Sequence, residues 1–240
     1  MKYGAIMKTL HFTDLGGHHA PETSIDRSNS QYAALAGRYD ALTPRLEPLR
    51  RDAHALLGLT AGDVVMDVGC GTGKSLPALS QAVGAGGRVI AVEPCPEMMA
   101  QARARAQALD LRNVQFVERE VQSIGAEIEP GSVDALLFMF THDVLQSGQA
   151  INALLRAARP GARLALAGGK FFSGPLSLLN PWVRRRQRPY CTTFLNYDAP
   201  WRTLFATSTL IQTRCRARYG GIAYLAAATV DAETRQTTVA

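Results

Sequence analysis

An acidic residue followed by a glycine-rich turn is the first feature of this chain that can support chemistry. The segment VVMDVGCGTG covers 64–73 and places Asp67 just before glycines at positions 69, 71 and 73. Glycines in the loop after a strand let the backbone approach a ligand closely. Their spacing is GxGxG and differs from the GxGxxG of dinucleotide sites. A carboxylate beside the loop disfavours phosphate and suits a cation or amino and hydroxyl donors. We therefore predict a ligand other than a pyrophosphate.

A second carboxylate follows at the end of the next predicted strand. The segment RVIAVE covers 88–93 and ends at Glu93. An acidic side chain at this position of an open α/β sheet can accept hydrogen bonds from both hydroxyls of a ribose. Together with Asp67, this residue predicts a ligand that has a ribose and a positive or amino-bearing end.

Alternating strand and helix patterns position these carboxylates. Between 60 and 168 the patterns have βαβ spacing, which predicts parallel strands covered on both faces. The C-terminal segment predicts two antiparallel strands around a Gly-Gly turn. We expect a doubly wound, mostly parallel, seven-stranded α/β sheet. The predicted strands are 64–68, 88–93, 114–118, 133–140 and 163–168, followed by the C-terminal pair.

Three further segments complete the predicted organisation. Residues 1–27 lack periodicity and are expected to form a flexible arm. Residues 28–58 have helical spacing and are expected to form a helical lid that belongs to the single domain 28–240. Residues 170–201 are rich in proline, aromatic residues and arginine, which indicates an inserted cap.

The two acidic segments together resemble a known family. VVMDVGCGTG and the downstream RVIAVEPCPEMM are similar to the S-adenosylmethionine site of class I (Rossmann-like) methyltransferases, within the ubiquinone/menaquinone-type small-molecule branch. The resemblance covers about residues 30 to 230. It implies the class I methyltransferase fold, S-adenosylmethionine as cofactor, S-adenosylhomocysteine as product and a methyltransferase activity.

The resemblance also implies roles for individual residues. The three loop glycines would cradle the methionine portion of the cofactor, and Asp67 would orient its ammonium. Glu93 would hold the ribose hydroxyls, and Met98 would pack on the adenine. Glu120 and Val121 stand where the family usually has an aspartate and a small apolar residue. The full set of expected cofactor-binding residues is Tyr32, Asp67, Gly69, Cys70, Gly71, Thr72, Gly73, Glu93, Pro94, Met98, Glu120, Val121 and Phe138.

Plain structural roles are the alternatives for several of these residues. Asp67 can cap the loop, and Cys70 can simply fill it. Met98 and Phe138 have the pattern of core residues. Tyr32 can also belong to the core.

The end of the fourth strand supplies candidates for catalysis. The segment FTHDVLQS places Thr141, His142 and Asp143 at the carboxyl edge of the sheet. Methyl transfer needs proximity and a base that removes a proton, and a histidine with an ordinary pKa of about 6.5 suits that role. We expect His142 as the base, with Asp143 and Tyr39 as further catalytic candidates. The alternative is that Thr141 or Asp143 caps the next helix while His142 faces solvent. Related sequences carry a histidine just after the Val-Leu pair, and this chain has Gln146 and Ser147 there.

The cap concentrates positive charge beside aromatic residues. Arginine suits carboxylate or phosphate, and arginine with aromatic residues suits a membrane surface. We expect Arg184, Arg186 and Tyr190 to contact the substrate, and we expect peripheral membrane contact through the cap. A solvated basic loop is the alternative. The residues concerned are Trp182, Arg184, Arg185, Arg186, Arg188 and Tyr190.

Composition narrows the class of protein. The 240 residues are 47% hydrophobic, which is enough for a full core, and no apolar run approaches the roughly 18 residues of a spanning helix. The net charge of +6 is concentrated locally, because 163–218 holds ten basic residues and a single acidic one. Four scattered cysteines and the absence of a leader pattern indicate a reducing cytoplasm. His11, His18 and His19 have no cysteine nearby, and we expect no metal site.

Three functions fit these features. The first is a methyltransferase for a small, anionic or aromatic metabolite of secondary metabolism, with N, O or C as acceptor atom. The second is a phospholipid N-methyltransferase of the phosphatidylethanolamine type at the cytoplasmic membrane surface. The third is a nucleic-acid binder, which is disfavoured because the chain has no base-stacking aromatic array. The oligomeric state is left open.

Overall fold

A seven-stranded β-sheet organises the computed structural model, which describes residues 24–42, 46–207 and 209–233. The strand order is β3-β2-β1-β4-β5-β7-β6. Strands β1 to β5 are parallel, and β7 pairs antiparallel with both β5 and β6. The strands are β1 (Val64–Val68), β2 (Arg88–Val92), β3 (Val114–Val117), β4 (Val133–Met139), β5 (Ala158–Gly169), β6 (Leu210–Arg218) and β7 (Ala223–Val230).

Helices cover both faces of this sheet. One face packs against α6 through Ile151 and Leu154. The other packs against α2, α3 and α4, with Leu49, Leu79 and Met99 in its core. Burial on two faces explains why the central strands are continuous apolar runs. The helices are α1 (Ser24–Leu42), α2 (Glu47–Leu57), α3 (Leu76–Val83), α4 (Pro96–Ala108), α5 (His142–Leu145), α6 (Gly148–Ala157), α7 (Asn180–Gln187) and α8 (Arg202–Phe205).

The predicted sheet and its closing hairpin are confirmed, whereas the start of the lid differs. Helix α1 begins at Ser24, four residues before the predicted boundary. The remainder of the predicted arm, including His11, His18 and His19, lies outside the described residues. No helix within the described parts of the chain is both long and apolar enough to cross a membrane.

The segment after β5 forms a cap of short helical pieces. A 3-10 turn at Gly174–Leu179 leads into α7, and a second 3-10 turn covers Arg188–Tyr190. The Asn180 side chain closes the base of the cap, because its Oδ1 accepts from the Phe172 N–H at 2.8 Å and its Nδ2 donates to the Phe172 carbonyl at 3.1 Å. The Tyr32 hydroxyl donates to the Tyr190 carbonyl at 2.8 Å. The cap is therefore joined to α1.

Gly73 is the residue at which the glycine loop contacts α4. Its replacement tests the packing of the loop against that helix. Gly73 has a φ of +76°, and a Cβ there would lie 2.8 Å from Leu76 Cδ1 and 3.0 Å from the Ala102 backbone. We expect Gly73→Ala to lower the free energy of unfolding by about 1–3 kcal/mol through strain and overpacking. Urea unfolding measures this change. Gly125→Ala is the control, since no atom lies within 4 Å of its Cβ position, and a comparable loss there would contradict the account.

Candidate functional site

Two adjoining cavities open at the carboxyl edge of the parallel strands, where ligands bind in open α/β sheets. The first has a volume of about 110 Å³ and lies against the glycine loop. The second has a volume of about 530 Å³ and lies against the cap. Five residues line both cavities and form their junction: Tyr32, Tyr39, Phe140, His142 and Tyr190.

The glycine loop is held by the carboxylate at the end of β2. Glu93 Oε2 accepts from the Gly71 N–H at 3.0 Å, and its Oε1 accepts from the Cys95 N–H at 3.0 Å. Burial raises the pKa of Glu93, and these two N–H groups oppose the rise. A carboxylate has about four acceptor positions, so roughly two remain for hydroxyl donors in the first cavity. Gly71 has a φ of +55°, and at Gly69 a Cβ would lie 2.7 Å from Thr141 Cγ2.

A small third cavity of about 40 Å³ lies against the loop, and its charged lining residues are Asp67, Arg50 and Lys74. Asp67 is 1% exposed, and its Oδ2 has no hydrogen-bond partner among the described residues. Burial raises the pKa of Asp67 to about 7; Arg50 lowers it and Glu93 raises it further. Arg50 is also buried, and its Nε likewise has no hydrogen-bond partner among the described residues. The cavity therefore offers an acceptor for an ammonium and a donor for a carboxylate.

Helix α1 is fastened over this loop. Asp40 Oδ1 accepts from the Thr72 hydroxyl at 2.6 Å, and Asp40 Oδ2 pairs with Arg105 of α4. Met98 is buried at the start of α4 and packs with Tyr32 and Tyr39. These contacts place both tyrosines in the wall of the first cavity.

His142 stands at the junction of the two cavities. It begins α5, is 8% exposed, and has no hydrogen-bond partner for either ring nitrogen within the described ranges. Burial lowers its pKa, and Asp143 and the Leu195 backbone oppose that change, so the imidazole is neutral at pH 7. The Tyr197 ring packs against it with centroids 4.8 Å apart. The alternative that His142 faces solvent is therefore wrong.

Asp143 lines the first cavity and is fixed by the cap. Its Oδ2 accepts from the Thr192 hydroxyl at 2.6 Å and from the Thr192 N–H at 3.2 Å. Neither Thr141 nor Asp143 caps helix α6, because the Ser147 side chain accepts from the Ala150 N–H at 3.2 Å. The Thr141 hydroxyl is buried without a hydrogen-bond partner in the described chain.

The predicted cofactor-binding residues fall into three groups according to the cavity that they line. Tyr32, Gly69, Gly71, Glu93, Pro94 and Met98 line the first cavity. Asp67, Cys70 and Thr72 line only the small third cavity. Gly73, Glu120, Val121 and Phe138 line none of the three cavities.

The residues outside the cavities have structural surroundings instead. Val121 and Phe138 are buried in the core, and the Glu120 side chain accepts from Gln122. Phe140 occupies the place expected for Phe138 and lines all three cavities. Its φ of +62° turns the chain at the end of β4, so that Phe140 packs on the opposite face from Phe138. A left-handed phenylalanine is rare, and the sequence carries no signal for it.

The second cavity contains two of the three predicted substrate residues. Arg186 and Tyr190 line it. Arg184 does not, because its guanidinium lies over the Phe194 ring at 5.1 Å and the Phe171 ring at 5.8 Å. Sequence reasoning missed most of the remaining wall, which comes from distant segments: Ala41, Leu46, Gly168, Gly169, Gln187, Cys191, Tyr197 and Tyr224.

Two glycines at the end of β5 make room for the tyrosines of this wall. A Cβ at Gly169 would lie 2.6 Å from the Tyr197 hydroxyl, and one at Gly168 would lie 3.1 Å from Tyr224 Cε1. Because both positions lack a side chain, the two tyrosine rings can lie close to the β5 backbone in the wall of the second cavity.

Comparison with known proteins identifies the domain around this site. Residues 65–161 match the family model described as a methyltransferase domain. A ubiquinone biosynthesis O-methyltransferase of Xanthomonas campestris is 33% identical over 165 residues, covering 66% of this chain and 62% of that protein. An aklanonic acid methyltransferase of a Streptomyces species is 28% identical over 161 residues, covering 66% and 69%. A demethylmenaquinone methyltransferase of Oceanobacillus iheyensis is 25% identical over 150 residues, covering 60% and 62%.

Solved structures agree on the fold. A SAM-dependent methyltransferase from Aquifex aeolicus matches with a TM-score of 0.54 at 23% identity, covering 84% of this chain and 98% of its own. Residues 65–161 thus match a methyltransferase domain, and the surrounding fold is the one seen in an S-adenosylmethionine-dependent methyltransferase structure. The chain spans less than two thirds of the length of several of the curated relatives that it matches.

The residues of the site fit S-adenosylmethionine. Asp67 Oδ2 and Arg50 Nε, which have no hydrogen-bond partner within the described ranges, suit the ammonium and carboxylate of the methionine end. Glu93 has acceptor positions for the ribose hydroxyls, beside two backbone N–H bonds. Met98 and Pro94 supply the apolar wall of the same cavity. We propose these residues as the ones that hold the cofactor.

Replacement of Asp67 tests this assignment. Because the pKa of Asp67 is raised to about 7, its ionisation opposes folding progressively from about pH 4 to pH 7. Asp67→Asn is expected to raise the free energy of unfolding at pH 8 by roughly 1–3 kcal/mol. It should also weaken S-adenosylhomocysteine binding by about 10- to 100-fold, because a charge-assisted hydrogen bond is lost. Urea unfolding and calorimetric titration measure the two effects.

The matched control is Asp63→Asn. Burial raises the pKa of Asp63, but hydrogen bonds from Thr60 and Arg163 outweigh it and lower the value. Its loss should therefore destabilise the fold above pH 4 and leave ligand affinity unchanged. Unaltered affinity in the Asp67 variant would refute the proposed ammonium site.

Proposed function

We propose that the chain transfers a methyl group from S-adenosylmethionine to a hydroxyl of a small aromatic acceptor. The observation that carries this proposal is the buried His142 at the junction of the two cavities, whose ring nitrogens have no hydrogen-bond partner among the residues that the structure describes. A neutral imidazole there can accept the proton that the acceptor hydroxyl loses. The match to a methyltransferase domain does not specify this acceptor, which is our proposal.

The second cavity supports an aromatic acceptor. Its wall contains Tyr197 and Tyr224 in addition to the junction residues, and such ring faces favour flat apolar molecules. Arg186 also lines this cavity and suits an anionic substituent. The relatives named for ubiquinone biosynthesis, aklanonic acid and demethylmenaquinone also support an acceptor of this class. None of these names refers to a phospholipid, and that acceptor stays an untested alternative.

The residues of this chain divide the work of such a transfer. When bound, S-adenosylmethionine supplies an electrophilic methyl group on a sulfonium. His142 receives the acceptor proton, which makes the acceptor oxygen a stronger nucleophile. Tyr32 and Tyr39 from α1 and Tyr190 from the cap enclose the junction. Their enclosure reduces access of water and limits the orientations open to the acceptor. We further propose that the reaction takes place in the cytoplasm.

The direct test is methyl transfer from isotope-labelled S-adenosylmethionine to a panel of acceptors. Simple phenols, hydroxyquinols and hydroxybenzoates are expected to accept label on oxygen, with anionic compounds preferred because of Arg186. Aliphatic amines and phosphatidylethanolamine serve as the opposing classes. Label on an amine or lipid, with none on the phenols, would contradict the proposal.

The pH profile of a His142 variant tests the base. Because burial lowers the pKa of His142, the wild-type rate should decline only below about pH 6.5, as the imidazole becomes protonated. His142→Gln should lower kcat by about 10²- to 10⁴-fold and abolish this acidic decline, while S-adenosylhomocysteine affinity is retained. His54→Gln is the control, since burial also lowers the pKa of His54, to about 4, and His54 lies outside the three cavities. An unchanged profile in the His142 variant would exclude it as the base.

Filling the second cavity tests where the acceptor binds. Cys191 lines this cavity and not the first. Cys191→Phe is expected to raise the acceptor KM by about tenfold or more through overpacking, with cofactor affinity preserved. Cys215→Phe, at an exposed position, is the control. Equal effects on cofactor and acceptor would argue against separate sites.

A further inference from the structure

The cap exposes an unusual amount of apolar surface. Among the described residues, Leu176, Leu178, Leu179, Trp182 and Leu195 are large apolar side chains left in contact with solvent. Leu178 is 86% exposed, and Trp182 is 53% exposed. Four of these five lie within seven consecutive positions, 176–182. Clustered apolar side chains on the surface of a soluble domain mark an interaction site.

Arginines without acidic partners flank this apolar cluster. Arg184, Arg185, Arg186 and Arg188 are all exposed. None of them forms an ion pair with a carboxylate in the described chain. Asp198 is the single acidic residue between 163 and 218, and it is paired with Arg202 at 2.8 Å. The positive charge of the cap is therefore available to an external anion.

Helix α7 joins the two features. Trp182 and Arg186 are one helical turn apart, and the Arg186 guanidinium lies over the Trp182 ring at 5.1 Å. Val183 is buried on the other side of the helix and anchors it to the domain. Exposed leucine and tryptophan beside arginine are the composition that binds at the interface of an anionic bilayer.

We propose that the helical part of the cap, residues 174–190, docks the enzyme on the surface of an anionic lipid bilayer. Leu178 and Trp182 enter the interfacial region, and Arg185 and Arg188 contact lipid phosphates. The same segment lines the second cavity through Gln187 and Tyr190, so docking brings the acceptor cavity next to the bilayer. An apolar acceptor can then reach it without crossing bulk water. The lipid is the surface in this proposal and not the methyl acceptor.

Vesicle flotation of the full chain tests the docking. Vesicles of phosphatidylcholine with about one third phosphatidylglycerol are compared with pure phosphatidylcholine, at low and at high salt. Binding to the anionic vesicles at low salt is expected, with strong weakening at high salt. Arg185→Gln/Arg188→Gln should weaken binding by at least tenfold, because each basic side chain near an anionic surface contributes about fivefold. Leu178→Ser/Trp182→Ser should also release the protein.

Matched variants elsewhere control for charge and apolarity. Arg214→Gln/Arg216→Gln removes two arginines from exposed positions of β6, and Leu109→Ser/Ile211→Ser removes two exposed apolar side chains. Both should bind vesicles as the wild type does. Far-ultraviolet circular dichroism confirms that each variant is folded. The flotation readout requires no methyl transfer, so its outcome is independent of the proposed reaction.

Tryptophan emission supplies a local readout. The chain has two tryptophans, and Trp201 packs against Tyr224 with ring centroids 4.9 Å apart. In a Trp201→Phe background, the emission of Trp182 should shift to shorter wavelength on addition of anionic vesicles. Absence of vesicle binding, equal binding to neutral vesicles at high salt, or equal loss in the control variants would overturn the proposal. Retention on RNA without binding to vesicles would assign the basic surface to nucleic acid and would also overturn it.

Discussion

Two backbone hydrogen bonds to one buried carboxylate hold this site together. Glu93 accepts from Gly71 in the loop after β1 and from Cys95 just before α4. The loop can follow this path because its glycines have positive φ and need no space for side chains. If Glu93 were removed, two N–H groups would lose their acceptor. The loop would then be tied to β2 by the bond from the Cys70 N–H to the Val92 carbonyl at 2.9 Å. The geometry of the cofactor site thus depends on a residue that is itself expected to bind the ligand.

Buried charged side chains in the same site lower the stability of the folded protein. Asp67 Oδ2 and Arg50 Nε have no hydrogen-bond partner among the described residues, and both residues line one small cavity. Burial of a carboxylate oxygen without a partner disfavours the folded state, and the raised pKa of Asp67 reflects that cost. Arg50 retains an ion pair with Glu47 at 2.7 Å, so only its Nε is left without a partner in this part of the structure. A zwitterionic ligand that supplies both partners would remove the cost. Such a ligand would gain part of its affinity by satisfying charge that is unsatisfied in the ligand-free protein.

Three separate segments meet at the junction of the two cavities. Helix α1 contributes Tyr32 and Tyr39, the end of β4 contributes Phe140 and His142, and the cap contributes Tyr190. The hydrogen bond from Tyr32 to the Tyr190 carbonyl links the first segment to the last. A movement of the cap is therefore coupled physically to the helix that covers the cofactor loop. Docking of the outer face of the cap would act on the same element that encloses the acceptor.

The sheet, the order of its elements and the two carboxylates at the strand ends could be predicted from local sequence patterns. These follow from local patterns, since apolar strands, helical periodicity and the glycine spacing are each complete within about ten residues. The pairing of β6 with β7 was also predictable, because a Gly-Gly turn joins two strand patterns.

Which side chains line the cavities depends on how distant segments pack. Arg50 on α2 reaches the third cavity because α2 packs on the sheet over β4 and β5, and no motif marks it. Phe140 replaces Phe138 because a left-handed residue at the end of β4 reverses the alternation of faces. Tyr197 and Tyr224 line the second cavity because Gly168 and Gly169 leave space for their rings. Such choices depend on contacts between segments distant in the chain, and a local pattern carries no information about them.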